Sequence, residues 1–424
     1  MSVYNPQVFG RRVGYYPSSE VFKNVDRSVY LLDRPSDAEY ERRHKVARSF
    51  IENSGLDCLL IQSGAGASAS LNVRWVTNQL PQFGNSYLIV PAIGEMTLFV
   101  GFQFLVDPSR RAQVIVEDVR GGPPREFGRM AVERLKELGC AKSRIGIVEV
   151  DAGSMPASDL KLFTAELPGA RFEFVTDAWW QQVRLIKSSE EIEFMEKAAS
   201  IGDRVVEAIV ENIRPGMTEA DVFACAYSAL FRNGGELGSP LLMLESSNTY
   251  ASTSALHRER PQNRILQRGD IICQEMDTWY SDGSNASTSK PIALGEPSEE
   301  YLEMVDLMLK VYEKEIEQLR PGKTNEDLRK AAAPILEKGY SGTCPVLFGM
   351  PGRSAGEYPC ALAFDDPSSH KPEPFVLEPG MTVVLHPYPY SLDYTKGVEI
   401  SDTWVITEGE ARCLHKYPRQ LTII

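Results

Sequence analysis

The feature that most constrains the fold of this chain is a repeat within its second half. A helical block over residues 190–212 runs into Ile213-Arg-Pro-Gly-Met-Thr218, and a second block over residues 298–318 runs into Leu319-Arg-Pro-Gly-Lys-Thr324. Each Arg-Pro-Gly stops one helix, and each following threonine can cap the next one. Because these segments match in the same order 106 residues apart, we interpret them as one supersecondary unit used twice.

The repeat continues into two apolar strands. Residues 266–275 and 377–386 share a glycine turn, an apolar run and a polar residue nine positions after the leading leucine. Those polar residues are Glu275 and His386. If the two halves are related by a pseudo-two-fold axis, Glu275 and His386 occupy equivalent positions and can face one another. A chance similarity of two glycine turns is the alternative.

The first half of the chain has a different pattern. Residues 1–36 are rich in Tyr, Pro, Ser and Arg without periodicity, which indicates a surface arm. Helical stretches then alternate with short apolar runs, which is typical of a layered α/β domain. The runs that predict strands are residues 58–61, 87–90, 97–100, 114–116 and 145–150. We predict an α/β domain over residues 1–183, including the arm, and a second domain over residues 184–424, opened by a helix capped at Ser188 or Ser189.

Composition narrows the class of protein. The formal net charge of −13 and the pI near 5.1 disfavour binding to a phosphate backbone. No run of about 18 apolar residues predicts a membrane span, and the N-terminus lacks a signal-peptide pattern. The seven cysteines are an odd number and form no CxxC pair, which indicates reduced thiols. We therefore predict a soluble cytoplasmic protein with no nucleic-acid or membrane partner.

The order of these features resembles the pita-bread superfamily, which includes creatinase, ectoine hydrolase, aminopeptidase P and prolidase. The similarity covers essentially the whole chain. It rests on Arg184-x-Ile-Lys-Ser-x-Glu-Glu-Ile192, the turn Gly269-Asp270, the turn at residues 378–381 and the motif Gly397-Val-Glu-Ile-Ser-Asp402. The resemblance implies an α/β creatinase-like N-terminal domain, followed by an α+β pita-bread domain with an internal pseudo-two-fold duplication. It also implies an active site in the hollow of a curved antiparallel sheet.

In the metallopeptidase members of this superfamily, five side chains bind two metal ions. The resemblance places the five positions on Glu275, on Asn285 or Ala286, near residues 348–350, on His386 and on Ser401. Four of the five have lost a ligand of the expected kind, so we predict no metal and no other cofactor. A different metal site is the alternative, because these segments contain further potential ligands: Asp277, Asp282, Glu399 and Asp402.

The similarity to metal-free members is greater. Creatinase has a catalytic histidine a dozen residues before its GD turn, and His257 lies twelve residues before Gly269. Ectoine hydrolase has a histidine in the strand after the P-G-M turn, where this chain has His386. We therefore predict three catalytic residues, with Glu275 as base or nucleophile and the two histidines as carriers of the proton.

Five further residues are predicted to bind the substrate. Asp277 lies two residues after Glu275 and hence on the same face of a strand. Residues 352–359 resemble a loop that carries substrate contacts in creatinase and ectoine hydrolase, and a guanidinium there can hold a carboxylate. In creatinase the stretch that matches residues 82–85 reaches over the neighbouring subunit, which implies a homodimer. The predicted residues are Asp277, Arg353, Glu357, Glu399 and Phe83.

These residues together predict a metal-independent hydrolase that cleaves a non-peptide C–N bond in a small polar metabolite. The bond would be that of an amide, an amidine or a cyclic amidine. Three alternatives remain open. They are a lyase of the dimethylsulfoniopropionate type, a metal-dependent Xaa-Pro peptidase and a non-catalytic pita-bread protein that binds a peptide or a protein.

Overall fold

The computed structural model describes most of the chain. The described ranges are 33–64, 68–80, 86–112, 116–150, 153–237, 242–247, 263–344, 346–348, 362–363, 376–393 and 396–424. The chain divides into two compact units, the first ending at Arg184 and the second beginning at Leu185. In the described ranges, no helix combines the length and the apolarity needed to cross a membrane. All but residues 33–36 of the predicted arm lies outside the described residues.

The first unit is built on a six-stranded mixed sheet with the strand order β4-β3-β2-β1-β5-β6. Its strands are β1 (Cys58–Ser63), β2 (Ser86–Pro91), β3 (Thr97–Gly101), β4 (Asp118–Gly122), β5 (Arg144–Val148) and β6 (Arg171–Phe174). β1 pairs antiparallel with β2 and parallel with β5. The strands β1, β2 and β3 are buried along their whole length. Burial on both faces explains why apolar runs mark them in the sequence.

Helices complete the first unit. They are α1 (Asp37–Asn53), α2 (Leu71–Thr77), α3 (Val106–Ala112), α4 (Phe127–Glu137), α5 (Ala157–Glu166) and α6 (Thr176–Trp179). Short 3-10 turns lie at Ser68–Ser70, Gln103–Leu105, Pro124–Glu126 and Cys140–Lys142, and a π-helical turn spans Trp180–Arg184. Phe127 of α4 and Phe163 of α5 pack in one core cluster with strand residues such as Phe99. The predicted α/β class of this half is confirmed.

The fourth strand begins two residues after Val116, the one described residue of the apolar run that predicted it. The described part of that run, Val116, lies outside any strand, and β4 begins at Asp118. Asp118 accepts a hydrogen bond from Thr97 Oγ1 at 2.7 Å, and Arg120 forms ion pairs with Asp118 and Glu137. Residues 114 and 115 of the predicted run lie outside the described residues, and the strand that follows is held by buried polar contacts.

The second unit contains the repeat that the sequence predicts. Its helices are α7 (Ser189–Asn212), α8 (Glu219–Arg232), α9 (Glu299–Ile316), α10 (Asn325–Ala331) and α11 (Pro334–Glu337). Thr218 caps α8 in a capping box with Asp221, and Thr324 caps α10 in the same way with Asp327. Ser188 caps α7. The two halves therefore begin their second helices with the same local structure.

The turns before these caps are equivalent as well. Gly216 N donates to Leu266 O at 2.8 Å, and Gly322 N donates to Leu377 O at 3.0 Å. Both glycines have positive φ, 94° and 84°, a conformation that other residues adopt only with strain. Each half thus ties its helix-ending turn to the segment that leads into its main strand. This shared contact supports the duplication beyond the sequence match.

Within the described ranges, the strands of the second unit form three sheets. They are β7 (Leu242–Ser247), β8 (Ile271–Trp279), β9 (Asn285–Thr288), β10 (Ile292–Ala293), β11 (Ser341–Cys344), β12 (Val346–Phe348), β13 (Leu362–Ala363), β14 (Thr382–Leu385), β15 (Tyr388–Tyr390), β16 (Asp402–Val405), β17 (Arg412–Cys413) and β18 (Thr422–Ile423). Two sheets have the orders β18-β10-β8-β7, with β9 on β8, and β12-β14-β16-β17. The third has the order β13-β11-β15. Ser289 and Ser401 exchange backbone hydrogen bonds of 3.2 and 3.1 Å and so join the first two. The predicted fold class is confirmed.

Each half packs its helices against one face of its main strand. Ile272 and Met276 of β8 lie in a core cluster with residues of α7 and α8, and Val383 and Leu385 of β14 lie in a cluster with residues of α9. Side chains alternate between the faces of a strand. The residues that alternate with these, such as Glu275 and Asp277 of β8, therefore point to the opposite face.

A buried ion pair lies on the helix side of the joined sheets. Lys290 Nζ is 2.5 Å from Asp402 Oδ1, and both side chains are almost completely buried. Lys290 also donates to Ser401 O at 2.9 Å, and the hydroxyl of Tyr312 in α9 donates to Asp402 Oδ2 at 3.3 Å. The pair therefore connects both halves of the duplication.

We expect Lys290→Met to lower the free energy of unfolding by about 3–5 kcal/mol, because it leaves the buried Asp402 carboxylate with only the more distant guanidinium of Arg419, whose Nη1 lies 3.9 Å from Asp402 Oδ2. Lys310→Met is the matched control, since Lys310 pairs with Asp306 on an exposed surface of α9. The loss of an exposed helical pair costs about 0.5 kcal/mol or less. Urea denaturation of the two variants measures the difference. Equal destabilisation would show that the buried pair has no special role.

Candidate metal centre

The face of the β8–β9 hairpin without helices is polar. Glu275 and Asp277 share this face because they alternate with Met276, which packs toward the helices. In the antiparallel register, Asp277 is opposite Ser287 and Trp279 is opposite Asn285. Directly opposed residues of such a pair lie on the same face. Carboxylate, hydroxyl, amide and indole groups therefore line one side of the hairpin.

The second half contributes a similar face. Leu385 of β14 is opposite Asp402 of β16, so continuing the register by one residue places His386 opposite Ser401. Glu399 lies two residues before Ser401 and follows the same alternation. The contact between Ser289 and Ser401 then connects this face to that of the hairpin. His386 and Glu399 come to the same hollow as Glu275.

Three of these side chains converge. Glu275, His386 and Glu399 each offer one possible ligand atom, and these atoms all lie within 4.8 Å of one another. The imidazole Nε2 of His386 is 2.9 Å from Oε1 of Glu399. All three side chains are buried. The cluster therefore combines two carboxylates and one imidazole at a place that little water reaches.

The donor set fits a divalent cation. Imidazole and carboxylate groups are ligands for Zn²⁺ and other first-row metal ions, and three protein ligands with an open position are typical of a catalytic site. Within the described ranges, no second group of three such ligands occurs. The neighbouring Ser401 and Ser289 are uncharged. These three residues can hold one cation in the hollow.

The structure brings together part of the predicted site. Glu275, His386 and Glu399 form the cluster, and Asp277 lies on the same face as Glu275. The equivalence of Glu275 and His386 under the duplication thus corresponds to a spatial contact. The other predicted site residues lie outside the described residues: His257, Arg353, Glu357 and Phe83.

Comparison with known proteins identifies relatives over most of the chain. Residues 193–408, about half of the sequence, match the metallopeptidase family M24. The Xaa-Pro dipeptidase of Pyrococcus furiosus is 27% identical over 383 residues, covering 90% of this chain and 99% of that protein. The probable dipeptidase PepE of Mycobacterium tuberculosis is 25% identical over 405 residues, covering 92% and 98%.

Solved structures show the same fold. The prolidase from Pyrococcus horikoshii OT3 superposes with a TM-score of 0.70 at 24% identity, covering 89% of this chain and 99% of that one. The X-Pro aminopeptidase from Thermotoga maritima MSB8 superposes with a TM-score of 0.73 at 19% identity, covering 90% and 99%. Together with the match to family M24, this likeness confirms the predicted superfamily.

The predicted function, a metal-independent hydrolase acting on a non-peptide C–N bond, is wrong. The relatives that cover about 90% of the chain are named as dipeptidases, one of them for Xaa-Pro. They favour the metal-dependent Xaa-Pro peptidase that the sequence left as an alternative. None of the relatives named here is a lyase.

The error came from mapping ligands one position at a time. Ser401 has lost a carboxylate, but Glu399 lies two residues earlier on the same face and enters the cluster. His386 replaces a carboxylate with another good ligand. Ala286 packs toward the helices with Met195, so its neighbour Asn285 faces the hollow. The period of two along a strand was the signal that could have revealed the rearranged ligand set.

The repeat, the fold and the position of the cluster agree with the sequence match. The match covers half of the chain and includes all three residues of the cluster, Glu275, His386 and Glu399. The M24 peptidases are hydrolases, which agrees with the coarser part of the sequence-based prediction. The chain belongs to the metallopeptidase family M24.

Proposed function

We propose that this chain is a metal-dependent peptidase that hydrolyses the C–N bond of small peptides, with Xaa-Pro dipeptides as the first class to test. The observation that carries the proposal is the convergence of Glu275, His386 and Glu399 within 4.8 Å. The names of relatives that align over nearly the whole chain support the choice of bond.

In this proposal Glu275, His386 and Glu399 hold one divalent cation. A bound cation supplies Lewis acidity and lowers the pKa of a coordinated water toward neutrality. The chain itself orients the reactants. The Ser401 hydroxyl is buried next to His386 in the register and can donate a hydrogen bond to the scissile carbonyl oxygen. The sheet excludes bulk water, which strengthens each of these interactions.

Asp277 is proposed to bind the substrate. Its carboxylate is buried one pleat from Glu275 on the same face, about 7 Å along the strand. A carboxylate at this distance can accept hydrogen bonds from the amino group of a dipeptide whose scissile bond lies at the cluster. His257, Arg353, Glu357 and Phe83 stay predictions as further site residues.

Two further proposals concern the cellular location and the oligomeric state of the protein. We propose a cytoplasmic location because four cysteines in the described ranges are free thiols: Cys58, Cys140, Cys225 and Cys413. We also propose a homodimer, as predicted from the stretch around Phe83. Light scattering during gel filtration distinguishes a dimer from a monomer of 47.3 kDa.

Divalent cations are expected to stabilise the folded protein. Adding Mn²⁺ or Zn²⁺ to chelator-treated protein should raise Tm, because a ligand that binds only the folded state adds about 2.7 kcal/mol at 100 times its Kd. His386→Gln and Glu275→Gln should abolish the rise, which differential scanning fluorimetry measures.

The matched control for that measurement is His415→Gln. His415 is also a buried histidine beside a carboxylate, with Nδ1 3.1 Å from Asp203 Oδ1, but it lies outside the cluster. This variant should keep the full cation response. A rise of equal size in His386→Gln would contradict the proposed ligand set.

Hydrolysis of Xaa-Pro dipeptides should require the cation and its ligands. We expect chelator to abolish turnover, added Mn²⁺ or Zn²⁺ to restore it, and Glu399→Gln to lower kcat/KM by at least about 100-fold, since even residues that only support metal ligands cost 10–100-fold. Release of proline measures the rate. Turnover that is insensitive to chelator would refute the proposal.

A further inference from the structure

Beside the cation ligands, the same face carries neutral polar groups that lack partners. Both amide atoms of Asn285, Oγ of Ser287 and Nε1 of Trp279 are buried and form no hydrogen bond within the described part of the chain. The three side chains are at most 1% exposed. Trp279 belongs to β8, and Asn285 and Ser287 belong to β9, the strand that pairs with it.

Their placement on the hollow follows from the hairpin register. Trp279 is opposite Asn285, and Ser287 is opposite Asp277. The intervening residue Thr278 points the other way, because its hydroxyl donates to Ala198 O of α7 at 2.7 Å. The three groups therefore share a face with Glu275 and extend from the cluster along the strands.

Energetics indicate that these groups meet a ligand. A buried polar group without a hydrogen-bond partner costs about 1–3 kcal/mol, so several on one face are a substantial destabilisation. Buried polar groups in folded proteins are otherwise paired almost without exception. A ligand in the hollow that hydrogen-bonds to Asn285, Ser287 and Trp279 removes this cost.

The hydrogen-bonding groups of Asn285, Ser287 and Trp279 determine which kind of ligand fits. Trp279 Nε1 only donates, the Ser287 hydroxyl donates or accepts, and the Asn285 amide does both. None of the three carries a charge and their neighbours Asp277 and Glu275 are carboxylates, so an anionic group placed there would lose its hydration without a counter-charge. An uncharged group with both a donor and an acceptor, such as a carboxamide, satisfies the set.

We infer that Asn285, Ser287 and Trp279 form a subsite for an uncharged polar side chain on the residue whose carbonyl is attacked. This inference rests on the proposed function, which places the scissile bond at Glu275 and the amino group at Asp277. The side chain of that same residue then extends along the face toward Ser287 and Asn285. Glutamine and asparagine are the residues whose side chains match.

Three dipeptides test the subsite. Gln-Pro and Met-Pro have side chains of equal length that differ in the terminal group, and Glu-Pro replaces the amide by a carboxylate. We expect kcat/KM for Gln-Pro to exceed that for each of the others by about tenfold, since about 1.4 kcal/mol of hydrogen bonding corresponds to a factor of ten. Asn285→Leu should reduce the ratio of Gln-Pro to Met-Pro to within about twofold.

The matched control is Thr278→Val. This variant also removes a buried hydrogen bond from the hairpin, but on the helix side, so it should leave the ratio between the dipeptides unchanged. If Asn285→Leu does not fold, Ser287→Ala removes a smaller group from the same face. It should lower the ratio in the same direction.

Calorimetric titration of Gln-Pro and Met-Pro into chelator-treated protein measures the affinity for each dipeptide in the absence of turnover. Tighter binding of Gln-Pro supports the subsite. If Gln-Pro binds more tightly but no dipeptide is cleaved, the proposed function is refuted and the subsite is not. Cleavage of both dipeptides with no preference for Gln-Pro in rate or binding overturns the subsite and leaves the peptidase proposal intact. Absence of both cleavage and preference overturns both.

Discussion

The site depends on the alternation of side chains along the paired strands of the second unit. One face of β8 and β14 packs apolar residues such as Met276 and Leu385 against helices. Apolar burial of this kind is the main stabilising contribution to folding. Once it sets which face meets the helices, Glu275 and His386 must point to the other face. Apolar residues of these strands face the helices, and the polar residues that alternate with them face the hollow.

A buried ion pair limits which substitutions the second unit tolerates. Lys290 and Asp402 form an ion pair on the helix side, within two residues of positions that face the hollow. Such a pair contributes little net stability but is costly to break. It links the segment after β9 to β16, the same two segments that Ser289 and Ser401 join by backbone hydrogen bonds. The geometry of the cluster therefore depends on contacts behind the sheet as well as within the hollow.

Much of the fold could be predicted because its signals are local. Helix caps at Ser188, Thr218 and Thr324 depend on residues three positions apart, and their repetition indicates the duplication. The strand β4 has a weaker local signal, because its residues Asp118 and Arg120 form a buried ion pair. The equivalence of Glu275 and His386 came from the repeat alone. Their contact with Glu399 did not, since it requires the register between β14 and β16.

The comparison of ligand positions shows where sequence reasoning failed. A family pattern assigns one role to one position, whereas a metal ion requires only that suitable atoms converge. Glu399 reaches the cluster from two residues away because a strand returns to the same face every second residue. Three possible ligand atoms therefore converge, although the family's pattern of ligand positions is not kept.

The sequence by itself determined the class of fold and the duplication, because helix caps, glycine turns and apolar periods act over a few neighbouring positions. It also named Glu275, His386 and Glu399 as site residues, though in different roles. Only the tertiary structure decided which polar residues share the hollow. Strands that are more than 100 residues apart in the chain, β8 and β14, become neighbours of one site through pairing that no local pattern encodes. The convergence of Glu399 with Glu275 and His386 and the neutral face beside them follow from that pairing.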